Sequence, residues 1–96
     1  MEKLKELLSE VWEEYEGASK YLHMAAKVRD DDVSAANIYT DLAKQEMNHA
    51  QSLYDMAERC VQKHAEDPDG HDWKIIWDWE KGKLMDRKAK VHSMLH

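Results

Sequence analysis

The sequence predicts an all-α fold, and three observations support this prediction. Only three Gly and one Pro occur among 96 residues, so few positions interrupt regular structure. Residues with branched β-carbons, which favour strands, are also few. Apolar residues recur at intervals of three and four, which is the spacing of one side of an α-helix. A chain of this length has room for one domain, which we expect to span residues 1–96.

Two acidic breaks divide the chain into three predicted helices, which span residues 2–29, 33–65 and 68–94. At the first break, the acids of residues 30–32 interrupt the apolar pattern, and Asp32 is a favourable N-cap for the second helix. At the second break, residues 65–70, Asp67 is predicted to cap the third helix. Pro68 is predicted to take the first position of that helix, where a missing N–H costs no hydrogen bond.

Each predicted helix has one apolar side that is expected to face the core. In the first helix this side consists of Leu4, Leu7, Val11, Glu14, Ala18, Tyr21, Ala25 and Val28. In the second it consists of Ala35, Ile38 or Tyr39, Leu42, Glu46, His49, Leu53, Met56 and Cys60. In the third, which is less cleanly apolar, it consists of Trp73, Ile76, Trp77, Glu80, Leu84, Arg87, Val91 and Met94.

The ionisable residues on the first two of these sides predict a metal site. An ionised carboxylate in a core is unfavourable unless it is paired, neutralised or bound to a cation. Glu46 and His49 are three residues apart, so both side chains project from one side of a helix and can bind the same ion. In an antiparallel hairpin, Glu14 lies at a similar height. Carboxylate and imidazole ligands without thiolate suit iron or manganese, and zinc also fits. The alternative is purely structural, with Glu14 paired to a lysine and His49 hydrogen-bonded in the core.

Composition argues against several other classes of protein. The formal net charge of -6 argues against nucleic-acid binding, which depends on clustered Lys and Arg. No apolar run approaches the roughly 18 residues of a membrane span. The first residues lack the pattern of a secretory signal, so we expect a cytoplasmic protein. A single cysteine, Cys60, excludes a disulfide framework and a four-cysteine zinc site.

Two segments resemble a known family. They are similar to the first two helices of a ferritin-like half-bundle, as in rubrerythrins and the small encapsulated ferritins. The segments are Glu14-Tyr-Glu-Gly-Ala-Ser-Lys-Tyr21 and Leu42-Ala-Lys-Gln-Glu46-Met-Asn-His49-Ala50. The resemblance covers about residues 4–62. It implies a di-iron carboxylate site that includes Glu14, Tyr21, Glu46 and His49. Glu16 is an alternative to Glu14, but it points off the apolar side, and we favour Glu14.

The resemblance also implies an oligomer. A ferritin-like bundle has four helices and two Glu-x-x-His segments, whereas this sequence contains one such segment, from Glu46 to His49. Two copies related by a twofold axis would supply four carboxylates and two imidazoles for two metal ions. We therefore expect a homodimer or higher homo-oligomer that completes a four-helix bundle by dimerisation, with the metals at its interface.

The activity implied by the resemblance is the binding of Fe(II) and its oxidation by oxygen, as in a ferroxidase-type oxidoreductase. The cysteine pairs of a rubredoxin module are lacking, so a complete rubrerythrin is not expected. Iron storage would require a closed cage or a protein shell, and the sequence identifies neither a shell nor a redox partner. The same ligands serve storage, peroxide removal and substrate oxidation, so the choice among these stays open.

Other residues leave alternatives open. Tyr21 and Tyr39, each seven residues from a candidate ligand, are predicted to donate hydrogen bonds to the carboxylates or to accept an oxidising equivalent, unless they only fill the core. Glu80 is a further candidate metal ligand, although Lys83 offers it a surface ion pair. The alternative function is a metal-free helical interaction module that docks on a partner through its Trp-rich third helix, because aromatic residues are enriched at interfaces.

Overall fold

The computed structural model describes residues 1–95, which form three α-helices: α1 (Glu2–Val28), α2 (Val33–Lys63) and α3 (Gly70–Met94). No strand occurs within this range, so the all-α prediction is confirmed there. α1 and α2 form an antiparallel hairpin, and α3 turns back along it, antiparallel to α2. The described chain measures 57 × 17 × 16 Å. None of the described helices combines enough length with enough apolar character to cross a bilayer.

The first turn is fixed by Asp32. Its Oδ1 accepts a hydrogen bond from the backbone N–H of Ala35 at 2.9 Å, as predicted for an N-cap. The backbone N–H of Asp32 donates to the carbonyl oxygen of Val28 at 2.7 Å. This bond ties the end of α1 to the start of α2, and so short a connection makes the two helices antiparallel neighbours.

The second turn differs from the prediction, because α3 begins at Gly70 and neither Pro68 nor Asp67 starts or caps it. The Asp67 carboxylate instead contacts Nδ1 of His64. Gly70 is buried at the reversal of the chain, where a Cβ would collide with the carbonyl oxygen of Ala65. Only glycine fits so close to the backbone of Ala65. The turn between α2 and α3 therefore extends to residue 70, and Pro68 lies within it.

Alanine side chains bring α2 close to α1. The buried residues of α2 are Ala36, Ala43, Met47, Ala50, Tyr54, Ala57 and Val61, of which four are alanine. The prediction of which side of α2 is buried is therefore wrong, because the larger apolar residues of the predicted side lie at the edge of the hairpin. Ile38 and Met56 on that side are 61% and 41% exposed, and Leu53 is half-buried. α1 follows its prediction, with the buried line Leu4, Leu7, Val11, Ala18 and Ala25.

α3 covers one side of the hairpin. The members of its predicted apolar side that are buried are Trp73, Trp77, Leu84 and Val91. The ring centroids of Trp77 and Tyr54 lie 5.0 Å apart. Further along, Lys88 Nζ donates a hydrogen bond to Gln51 Oε1 at 3.0 Å. The side of α2 that carries Tyr54 and Gln51 therefore faces α3.

The opposite side of the hairpin is left uncovered by α3. Successive residues of a helix are about 100° apart around its axis. Side chains of α2 that neighbour Tyr54 and Gln51 in sequence therefore point away from α3. We call this uncovered surface the open face, and it consists of Glu14 and Tyr21 of α1 with Leu42, Glu46, His49, Leu53, Met56 and Cys60 of α2. Its apolar residues are only partly covered in the single chain. The candidate metal ligands lie in the middle of this face.

Candidate metal centre

The structure brings Glu14, Glu46 and His49 together. Each offers one ligand atom, and these atoms lie within 4.8 Å of one another. His49 Nδ1 stands 3.6 Å from Glu14 Oε2 across the hairpin. Distances of this size are those of groups that can close on a common ion with small side-chain movements. The two residues of α2 come from adjacent turns, and Glu14 meets them because the hairpin is antiparallel.

Glu14 is held in an unfavourable position without a cation. Its side chain is 25% exposed, and while both Glu14 and Glu46 are ionised its buried Oε2 atom has no hydrogen-bond partner among the described residues. A buried carboxylate oxygen that lacks a partner is costly, so a compensating group is expected. His49 is 62% exposed and compensates the charge only when it is protonated. A divalent cation bound by carboxylate oxygens and imidazole fits this donor set.

Glu46 shows the same need for a positive charge. A hydrogen bond shared with Glu14 raises the pKa of the Glu46 carboxyl above its ordinary value, and burial and the negative charge of Glu14 raise this pKa further. The charge of His49 acts in the opposite direction. The two carboxyl groups therefore tend to share a proton in the metal-free chain, and a bound cation would take the place of that proton.

The two tyrosines of the predicted site stack on each other. The ring centroids of Tyr21 and Tyr39 lie 6.2 Å apart with an interplanar angle of 28°. Within residues 1–95, neither hydroxyl forms a hydrogen bond with a carboxylate of the metal group. Both side chains are half-buried in the single chain.

Two other predicted carboxylates lie apart from the group. Glu16 Oε1 accepts a hydrogen bond from Trp12 Nε1 at 2.8 Å, which supports the choice of Glu14 over Glu16. Glu80 Oε1 lies 3.2 Å from Lys83 Nζ, as the surface alternative requires. Glu80 lines a groove between α1 and α3, on the side of the hairpin opposite the open face. Glu80 thus lies outside the group that Glu14, Glu46 and His49 form in the described chain.

Gly17 is a residue of the site that sequence reasoning missed. A Cβ at this position would stand 3.1 Å from Glu46 Oε2. Real Cβ atoms rarely come so close to a neighbour, so the absence of a side chain leaves room for the Glu46 carboxylate. The sequence contains a signal for this residue, because a glycine in the middle of a helix lowers helix stability by about 1 kcal/mol relative to alanine. Such a glycine often has a packing or functional role.

A protein-family model matches most of the chain. The family is described as Rubrerythrin, and the match spans residues 6–78. This range covers most of α1, all of α2 and the first part of α3, so it contains the whole metal group. No match was found among curated proteins or among solved structures.

Proposed function

The chain belongs to the rubrerythrin family, within the ferritin-like di-iron carboxylate superfamily, and from this premise we propose that it binds Fe(II) and oxidises it with oxygen. The observation that carries the proposal is the buried, unpartnered Oε2 of Glu14 beside Glu46 and His49. The family has a ferritin-like iron-binding fold, and these three residues are the group in the described chain that offers such ligands.

The proposed site lies between two chains. One chain contributes two carboxylates and one imidazole, which is half of the ligand set of a two-metal centre in a four-helix bundle. A second copy placed on the open face would add the other half and would cover Leu53 and Met56. Burial of these partly exposed side chains favours association, because removal of apolar surface from water is stabilising. The proposed oligomer is a homodimer whose two hairpins form the bundle.

The residues of the site have separate tasks in this proposal. Glu14 and Glu46 neutralise the charge of the bound Fe(II), and His49 binds as a neutral imidazole. The proton shared by the two carboxyl groups leaves when Fe(II) binds. When bound, iron supplies the electrons that reduce oxygen. Glu14 is less exposed than His49 and would hold the ion on its buried side, whereas the exposed ring of His49 would be free to move.

The test is a binding experiment with matched variants. The purified chain is loaded with Fe(II) without oxygen, desalted and assayed for retained iron and then for oxygen uptake. We expect about one retained iron per chain, from two metals in each pair of chains. Glu46→Ala and His49→Ala should lose this iron and the oxygen uptake. Glu80→Ala, which removes a carboxylate outside the group, should behave as the unmodified chain.

Two outcomes would overturn the proposal in different ways. Iron retained equally by Glu46→Ala and by the unmodified chain would show that the metal binds elsewhere. No retention by the unmodified chain would remove the proposed function and favour the metal-free docking alternative. A measurement of intact mass with and without Fe(II) tests the oligomer separately, since a single-chain mass in both conditions contradicts a site shared between chains.

The exposed aromatic surface of α3, on which the docking alternative depends, is smaller than the sequence indicates. Of the three tryptophans in α3, Trp73 and Trp77 are buried against the hairpin. Trp79 is 69% exposed and is accompanied by Ile75, which is 53% exposed. The aromatic residues of α3 thus serve mainly to close the chain's own core, so the metal site is the better supported of the two functions.

A further inference from the structure

A cavity of about 360 Å³ lies between α2 and the last turns of α3, on the side of the hairpin opposite the metal centre. Its lining includes three basic residues, Lys44, Lys88 and His92, and the buried side chains of Tyr15 and Met47. A volume of this size lies within the range of about 300 to 1,000 Å³ that is usual for small-molecule sites. The cavity is not part of the iron-binding proposal.

Within residues 1–95, the charged side chains that line this cavity are all basic. The chain as a whole has a formal net charge of -6, yet no Asp or Glu belongs to the lining. None of the ion pairs within residues 1–95 involves Lys44, Lys88 or His92. Lys88 Nζ donates to the neutral Gln51 Oε1 at 3.0 Å, which holds its positive charge beside the cavity. A negatively charged ligand would therefore meet cations that have no carboxylate partner in the described chain.

Part of the cavity floor is apolar, and this part favours an organic anion over an inorganic one. Met47 and Leu95 are apolar, and Tyr15 contributes an aromatic ring with a hydroxyl group, whereas Asn48 and Gln51 add polar side chains. A ligand with one charged end and one apolar end matches both parts of the lining.

From this arrangement we propose that the cavity binds a small organic carboxylate with a compact apolar body. The carboxylate lies between Lys44 and Lys88, and the apolar body packs on Met47 and Tyr15. Tyr15 follows Glu14 in sequence, but the two side chains point about 100° apart around α1. The cavity and the metal centre therefore lie on different sides of the hairpin. Binding of the carboxylate does not require iron.

The experiment uses the metal-free full chain with ¹³C-labelled methionine methyl groups and benzoate as the probe. Titration with benzoate should shift the Met47 methyl signal in a saturable manner. The signals of Met24 and Met56, which lie outside the cavity, should stay in place. Benzyl alcohol has the same ring without the charge and should bind about tenfold more weakly or worse, as expected for the loss of a charged contact. Inorganic phosphate should leave the Met47 signal unchanged at the same concentrations.

Variants of the lysines locate the carboxylate. Lys88→Met and Lys44→Met should each weaken benzoate binding by about fivefold or more, which corresponds to the loss of one charge contact near the surface. Lys90→Met removes an exposed lysine of the same helix outside the cavity and should leave the affinity unchanged. Two lysine variants are used so that one remains informative if the other fails to fold.

Several results would overturn the inference. No saturable shift of Met47, or a shift in every methionine signal, means that no such site exists. Equal binding of benzyl alcohol and benzoate means that the cavity selects apolar bodies without regard to charge. Equal binding of phosphate and benzoate means that the apolar floor plays no part. A loss of affinity in Lys90→Met as large as in Lys88→Met indicates a general charge effect. None of these outcomes depends on iron, so they leave the proposed function untouched.

Discussion

Gly17 and Glu46 face each other across the hairpin, and a Cβ at position 17 would stand only 3.1 Å from Glu46 Oε2. Replacing Gly17 with alanine should therefore push Glu46 Oε2 away from its present position. We expect Gly17→Ala to retain several-fold less iron than the unmodified chain. Its metal-free form should be equally stable or more stable by up to about 1 kcal/mol, because alanine favours the helix. Iron retention and thermal unfolding measure the two effects.

Gly82 offers a matched control for this change. It lies in the interior of α3, and nothing would meet a Cβ there within 4 Å. Gly82→Ala should raise the stability by about 1 kcal/mol and leave iron retention unchanged. A loss of iron in both variants would mean that the effect at position 17 comes from helix rigidity rather than from contact with Glu46.

Glu46 should make the metal-free chain less stable at higher pH. Its raised pKa means that the folded chain holds this proton more tightly than the unfolded chain does. The stabilisation is complete below the ordinary glutamate pKa, about 4.3, and is lost as the pH rises through the raised folded value. Glu46→Gln removes this titration, so without metal it should be more stable than the unmodified chain near neutral pH.

Denaturant unfolding at about pH 4 and about pH 8 checks the sign of this effect. The gain in stability from Glu46→Gln should be larger at the higher pH. Glu13→Gln, the same change at an exposed residue of α1 outside the metal group, is the matched control. A Glu46→Gln variant that is less stable than the unmodified chain at both pH values would contradict the stated interaction between Glu46 and Glu14.

Leu53→Glu should separate the proposed dimer into single chains. Leu53 lies on the open face, one turn from His49, and is half-buried in the single chain. A charge placed there would be desolvated when two chains meet, so we expect the dimer to weaken by about a hundredfold or more. Sedimentation equilibrium measures this change, and circular dichroism should show that the helices persist. Ile75→Glu, on the exposed side of α3, should leave the mass unchanged.

Trp77→Ala should destabilise the fold strongly. The side chain is 5% exposed and packs on Tyr54, so its removal leaves a large void beneath α3. The expected cost is about 3–5 kcal/mol in the free energy of unfolding. Trp79→Ala removes a residue that is 69% exposed and should change stability by about 0.5 kcal/mol or less. Urea unfolding followed by helix content compares the two, and equal losses would contradict the assigned orientation of α3.

Local chemistry explains which parts of the fold were predictable from sequence. Asp32 was a reliable signal because a capping carboxylate acts within its own turn, and the observed bond to Ala35 is such an interaction. The three metal-group residues were also recognisable, since Glu46 and His49 are spaced by one helical turn. Their meeting with Glu14 required only that two helices of similar length fold back on each other.

The remaining features depend on tertiary contacts that the sequence pattern does not show. Large apolar residues such as Leu53 and Met56 suggested the buried side of α2, but Ala50 and the other alanines allow closer approach and occupy the centre instead. The start of α3 was misjudged because the contact of Gly70 with Ala65 involves the reversed backbone. Gly17 was missed because its neighbour, Glu46, comes from the other helix.

The position of α3 sets a limit on assembly. Because this helix already lies against one side of the hairpin, the proposed pairing of two chains uses the open face. Pairing through identical surfaces is self-limiting, because the interface buries the same surface on both chains and leaves none of it exposed for a third chain. Growth by this route stops at two chains, and a larger particle would have to be organised by contacts of another kind.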